Sequence, residues 1–169
     1  PGSEEKAAEI ARYREQLDPA TLAAGDRPAG RVVYQRICAA CHVLFDDGIA
    51  VGPDLTGSQR DHLDYLLEHI VDPGASVSRD YQLTLVETAD GRVLSGFVAE
   101  ENERSLVLQS LNERVAIPAG EVVSRRSSPV SMMPGGLLGI LSDEERRDLF
   151  AYLMGEGQVP LPQAGEGVD

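Results

Sequence analysis

Two cysteines separated by two residues and followed at once by a histidine, Cys38-Ala39-Ala40-Cys41-His42, constrain this chain more than anything else in it. Three positions apart on one helical turn, the two thiols face the same edge of a planar macrocycle, and the next residue points its imidazole inward to a metal. This is the haem-attachment pattern, in which each thiol adds to a vinyl group and the histidine ligates the iron. Two rivals share the spacing. A zinc site needs a second ligand pair, yet no other cysteine exists and the remaining imidazoles are His62 and His69. A dithiol redox site sits at the start of a helix after a strand, whereas here an amphipathic helix precedes the pair.

With 169 residues the chain can bury a core of its own, and 15 basic against 28 acidic side chains leave a net charge of -13. Such a surface repels nucleic acid and anionic lipid and attracts a basic protein partner. No stretch approaches the ~20 apolar residues that span a bilayer, so membrane insertion is not expected. Pro1-Gly2-Ser3 reads as a vector-derived scar, and residues 1–28 as that scar plus a connecting helix, with a natural leader or upstream domain missing.

Helical spacing of Val33, Tyr34 and Ile37 predicts a helix over about 28–40 that leads into Cys38, and Leu63, Leu66, Leu67 and Ile70 predict another over 61–71. Between them, Asp46-Asp47-Gly48 and Gly52-Pro53-Asp54 predict a loop over 45–58 with little regular structure. The period then changes. Five β-branched runs, 82–88, 92–99, 105–109, 114–117 and 122–125, are separated by turn signals, of which Asp90-Gly91 is the strongest. Ser142 followed by Asp143-Glu144-Glu145 caps a last helix bearing Leu149, Tyr152 and Leu153, and the Gly- and Pro-rich stretch 156–169 is expected to be a flexible tail.

The residues around the motif resemble class I cytochrome c. Gly30 and Tyr34 stand where that family has a glycine and an aromatic before the first haem cysteine, and residues 148–153, Asp-Leu-Phe-Ala-Tyr-Leu, match its last helix. The resemblance covers roughly residues 30–73 and 130–154, and implies one covalent haem c bound through Cys38 and Cys41 with His42 on the iron. It also implies that Pro53, in Gly52-Pro53-Asp54-Leu55, offers its carbonyl to the ring N–H of His42. The family's Met-Pro dipeptide selects Met133, before Pro134, as the sixth ligand; Met132, His62 and His69 are the alternatives.

The stretch 80–127 looks like a small five-stranded Sm-like β-barrel, bent at Gly96. Taken whole, the chain from Gly30 resembles the haem-binding domain at the C-terminal end of large Planctomycetes–Verrucomicrobia-type proteins. The expected fold class is a mainly α cytochrome c fold, residues 29–79 and 128–155, with that barrel inserted between the haem-attachment half and the axial-methionine helix. Residues 80–127 carry eight acidic and five basic side chains and two aromatics, Tyr81 and Phe97, which speaks against RNA binding. Its strand edges suit a docking or homodimer surface.

The resemblance implies a periplasmic or otherwise extracytoplasmic electron carrier without catalytic residues, taking electrons from a fused or separate dehydrogenase and passing them to a basic redox partner. The rival reading is a haem-based gas sensor or a peroxidase-like enzyme, its sixth ligand displaceable through the mobile Gly135-Gly136 and Gly139 stretch.

Overall fold

The computed structural model describes residues 3–163. The chain divides into two compact units, one formed up to Val71 and again from Gly136, the other by Asp72–Gly135.

Among the described residues, the first unit contains five helices and one small hairpin: α1 (Ser3–Gln16), α2 (Pro19–Ala23), α3 (Arg27–Ile37), β1 (Val43–Leu44), β2 (Asp47–Gly48), α4 (Leu63–Val71) and α5 (Asp143–Leu153), the last preceded by a 3-10 turn at Leu137–Ile140. Local chemistry sets the starts. The Asp18 carboxylate accepts from the Thr21 N–H ahead of Pro19, and Asp26 accepts from Ala29 N–H ahead of Pro28, each proline sitting where its missing donor costs nothing. At α5, the Ser142 hydroxyl accepts from Glu145 N–H (3.1 Å) while the Glu145 carboxylate accepts from Ser142 N–H (3.0 Å), a reciprocal cap.

Helices α3 and α5 cross in close contact because Gly30 has no side chain. A Cβ there would land on the Asp148 carbonyl and come 2.8 Å from the Tyr152 Cβ. Around this crossing a single core forms from Tyr13, Leu17, Val33, Tyr34, Leu44, Leu66, Leu67, Val71, Leu138, Leu141, Leu149, Phe150, Tyr152 and Leu153. Asp148, buried at the crossing, is satisfied by the Asp26 N–H (2.9 Å) and by Arg147.

The second unit is a sheet of five antiparallel strands, β3 (Leu83–Thr88), β4 (Val93–Glu101), β5 (Ser105–Gln109), β6 (Arg114–Pro118) and β7 (Val122–Ser128), in the order β6-β5-β4-β3-β7. The strands fall close to the five β-branched runs, and Gly91, with φ of 82°, makes the expected tight turn. Inward Val86, Leu106, Leu108 and Ile117 form its core. β3 pairs with both β4 and β7, and its first residue, Leu83, lies opposite the last of β7, Ser128.

Two features of the expected fold class are corrected. The sheet is open: β6 and β7 remain separate edges, so there is no Sm-like barrel. Closure would need those two strands to pair, and Gly96 serves another purpose, since a Cβ there would run into the Gln109 carbonyl of β5. Gly96 permits close approach of neighbouring backbones, and β4 carries an irregularity after Val98 where its pairing to β5 shifts. The chain is also less helical than "mainly α" conveys, with 37% helix and 22% strand.

Two smaller differences lie in the first unit. The stretch expected as irregular, 45–58, contains the turn and second strand of the β1–β2 hairpin, the turn placing Phe45 and Asp46 at φ of 51° and 63°, a left-handed pair that matches the twist of the strands. Residues 156–159, expected to belong to a flexible tail, are held by side chains: Arg27 donates to the carbonyl of Gly157 (2.6 Å) and Arg31 to that of Val159 (2.6 Å), while just before them Arg60 donates to Leu153 (2.6 Å) and Gly155 (2.8 Å). Arginines closing a helix C-terminus satisfy carbonyls that no backbone N–H reaches. The rest of the expected tail, 164–169, lies outside the described residues, as do Pro1 and Gly2.

Candidate functional site

Helix α3 ends at Ile37, and the backbone then winds one further turn through the motif. Cys38 N–H bonds to the Tyr34 carbonyl (2.8 Å), and the Cys38 carbonyl accepts from both Cys41 N–H (3.1 Å) and His42 N–H (3.0 Å). That turn holds the two thiols and the imidazole at helical spacing. Cys38 and Cys41 form no disulfide, and both are half-buried. Burial pushes the Cys38 thiol up to about 12, with Cys41 beside it adding to the effect. A dithiol redox site depends on an accessible thiolate, so this environment opposes that reading.

The loop after the motif folds back onto it. Ile49 N–H bonds to the Ala39 carbonyl (2.8 Å), and the Cys41 carbonyl accepts from Val51 (3.1 Å) and Gly52 (2.6 Å). This return brings Pro53 to the histidine: His42 Nδ1 lies 2.8 Å from the Pro53 carbonyl oxygen. Because a carbonyl only accepts, the proton sits on Nδ1, and Nε2 is left with a lone pair for a metal. Gly52 makes room for the ring, since a Cβ there would come 2.9 Å from His42 Cε1 and 3.2 Å from Nδ1.

A second set of contacts stands behind His42. The fully buried Tyr34 donates its phenol proton to the His42 carbonyl (2.7 Å), with the Asp47 carbonyl at 3.1 Å as a further acceptor. Burial pushes the Tyr34 phenol well above its ordinary range, so it remains a donor. Gly48, at φ of 118°, packs against the same junction, where a Cβ would meet both the His42 carbonyl group and the Tyr34 hydroxyl. The Asp47 carboxylate is fixed by Arg31 (3.0 Å) and Gln35 (2.9 Å). Phe45, in the hairpin turn, packs edge-on against Tyr152 at 6.0 Å and lies under the Arg60 guanidinium at 4.6 Å. Gln158 accepts from the Tyr152 hydroxyl (3.0 Å) and donates to the Phe45 carbonyl (3.3 Å).

Sequence reasoning singled out Cys38, Cys41, His42 and Pro53, which lie together in the first unit. It missed the hydroxyl of Tyr34, the Asp47–Gly48 junction and the roles of Arg27 and Arg31. The signals were small: a tyrosine where a purely apolar contact needs none, and an Asp-Gly pair one step after a left-handed turn. Met132 and Met133 lie after β7 in the second unit, both half-buried, and Met133 N–H donates to the Ser131 hydroxyl (3.2 Å). His62 is exposed at the start of α4, 3.8 Å from Asp61. His69 is half-buried: its ring stacks on Tyr65 at 4.1 Å and its Nδ1 lies 2.8 Å from the Tyr65 carbonyl.

The residue set suits one porphyrin: two thiols on a single turn, an imidazole with the right tautomer, and a glycine floor beneath the ring. Among the described residues, no cluster of three or more His, Cys, Asp or Glu side chains offers an alternative metal site. No helix among them is long and apolar enough to cross a membrane. The family model described as cytochrome c matches residues 28–155. No curated protein matches the sequence.

Proposed function

The chain belongs to the cytochrome c family and binds haem c covalently as a haem-binding electron-transfer protein, and from that premise we propose that it is a mono-haem carrier with His42 and Met133 as axial ligands. The observation that carries the reading is the 2.8 Å contact between His42 Nδ1 and the Pro53 carbonyl, within the loop hydrogen-bonded back onto the attachment turn. Haem c supplies a one-electron couple when bound. The protein residues hold and tune it. Cys38 and Cys41 anchor the macrocycle. Pro53 orients the imidazole and makes it a stronger donor. Met133 is assigned through the Met-Pro resemblance, and a thioether there favours the reduced state. Held by both His42 and Met133, the group would exchange single electrons with a partner protein and would offer no place to a substrate.

The partner is a basic redox protein. Residues 38–79 and 128–169 each carry a net charge of -5, so the association weakens as salt rises. A dehydrogenase, fused or separate, is the donor, as the resemblance to the Planctomycetes–Verrucomicrobia-type domain suggests, and the protein works outside the cytoplasm, where such domains are typically found. The sheet unit offers its open edges, β6 and β7, for docking or for a second copy.

Optical spectra of the ferric and ferrous protein, with carbon monoxide added to the reduced form, test the ligand set in wild type and Met133→Ala. A low-spin wild type inert to carbon monoxide, with both traits lost in the variant, is the expected result. A high-spin or carbon-monoxide-binding wild type would replace the carrier by a gas sensor or peroxidase-like enzyme.

A further inference from the structure

We propose that Tyr34 is a positioning residue for the iron ligand, its phenol pinning the His42 carbonyl so that the imidazole keeps its bond to Pro53. The inference rests on the reading of His42 as an axial ligand. Packing alone does not call for a hydroxyl at this place. The Tyr34 ring is completely buried at the α3–α5 crossing, 5.5 Å from Tyr152, and phenylalanine would fill the same space. A buried hydroxyl costs free energy unless it is paired, and this one is paired with the carbonyl of the ligand residue itself.

The geometry makes His42 a residue held at both ends. In front, Nδ1 meets the Pro53 carbonyl and the ring lies on Gly52; behind, the carbonyl meets the Tyr34 hydroxyl at 2.7 Å, with Gly48 against the same oxygen. A shift of the His42 main chain would carry the imidazole away from Pro53. The junction is itself anchored, since Asp47, whose carbonyl also faces Tyr34, is gripped by Arg31, and Arg31 holds the Val159 carbonyl. Tyr34 thus links the ligand to the C-terminal segment. Loosening the Nδ1 bond withdraws electron density from the iron's nitrogen donor, which destabilises the ferric state and raises the potential.

Tyr152 provides the matched control. It too is fully buried in the same aromatic pair, but its hydroxyl donates to Gln158 and makes no bond to His42. The test compares Tyr34→Phe with Tyr152→Phe in the haem-loaded full chain by redox titration and by NMR exchange of the His42 Nδ1 proton in the reduced state. Tyr34→Phe is expected to raise the midpoint potential and to speed that exchange about fivefold, the ratio appropriate to one net hydrogen bond. Tyr152→Phe should leave both at wild-type values. Equal responses of the two variants, or a wild-type potential and exchange rate in Tyr34→Phe, would overturn the positioning role alone. Absence of iron-shifted His42 ring resonances in the wild-type ferric protein would instead overturn the ligand assignment, and this inference with it.

Discussion

The two units of this chain are stabilised in different ways. The haem-bearing unit buries large aromatic side chains, Tyr13, Tyr34, Phe150 and Tyr152, at places fixed by partners distant in sequence, and its loops are tied by arginines to backbone carbonyls. The sheet unit has a core of four aliphatic side chains, and its charged pairs, Arg92–Asp90, Arg114–Glu100 and Arg125–Glu101, are exposed. Its order comes from a repeating ladder. The first arrangement fixes individual atoms, as a metal ligand requires; the second needs only alternation of apolar and polar residues along strands, and tolerates change outside a few positions.

That contrast can be broken in four places, in descending order of effect. Ile117→Ala removes one of the four aliphatic side chains clustered at the centre of the sheet's core and should cost about 2–5 kcal/mol, read by chemical denaturation followed at a strand-sensitive wavelength. A loss near zero would mean the sheet is not held by that core. Gly30→Ala drives a methyl into the Asp148 backbone and should cost about 1–3 kcal/mol by forcing α3 from α5.

Ser142→Ala removes one half of the α5 cap, at about 1 kcal/mol in thermal unfolding near neutral pH. The other half is titratable. The Ser142 N–H, and then Arg36, hold the Glu145 carboxyl below its ordinary value of 4.5, so its contribution is present above that pH and is lost as the solution is acidified through the lower folded value. Glu145→Gln should therefore flatten the acid limb of the stability curve. The smallest effect is expected at an exposed pair: Arg125→Ala should change stability by no more than about 1 kcal/mol, and by less at high salt.

Legibility in the sequence follows the same division. Cys38, Cys41 and His42 were readable because attachment chemistry dictates their spacing, and the five strands because period 2 is a local signal. The helix start at Ser142 was readable from its cap. Closure of the sheet was not, since whether β6 meets β7 depends on no single residue; Gly96 suggested a bend and proved to be a close approach to Gln109. The grip of Arg27, Arg31 and Arg60 on residues 153–159 was equally hidden. It joins positions 93 to 130 apart, and nothing in a Gly- and Pro-rich segment announces that its carbonyls will be bound.

The pairing of Leu83 with Ser128 has a consequence for how such a chain is assembled. The first and last strands of the sheet are antiparallel neighbours, so the chain enters the sheet at residue 83 and leaves it at residue 128 on adjacent strands, about 5 Å apart at that pair. Once the sheet has formed, residues 83–128 act on the haem unit as a short tether rather than a long disordered loop, and the loop-closure entropy of bringing α4 and α5 into one core falls accordingly. An element of this shape behaves as a graft: it can be spliced into a host, lengthened at its far turns or exchanged for another module with paired ends, at small cost to the folding of what surrounds it.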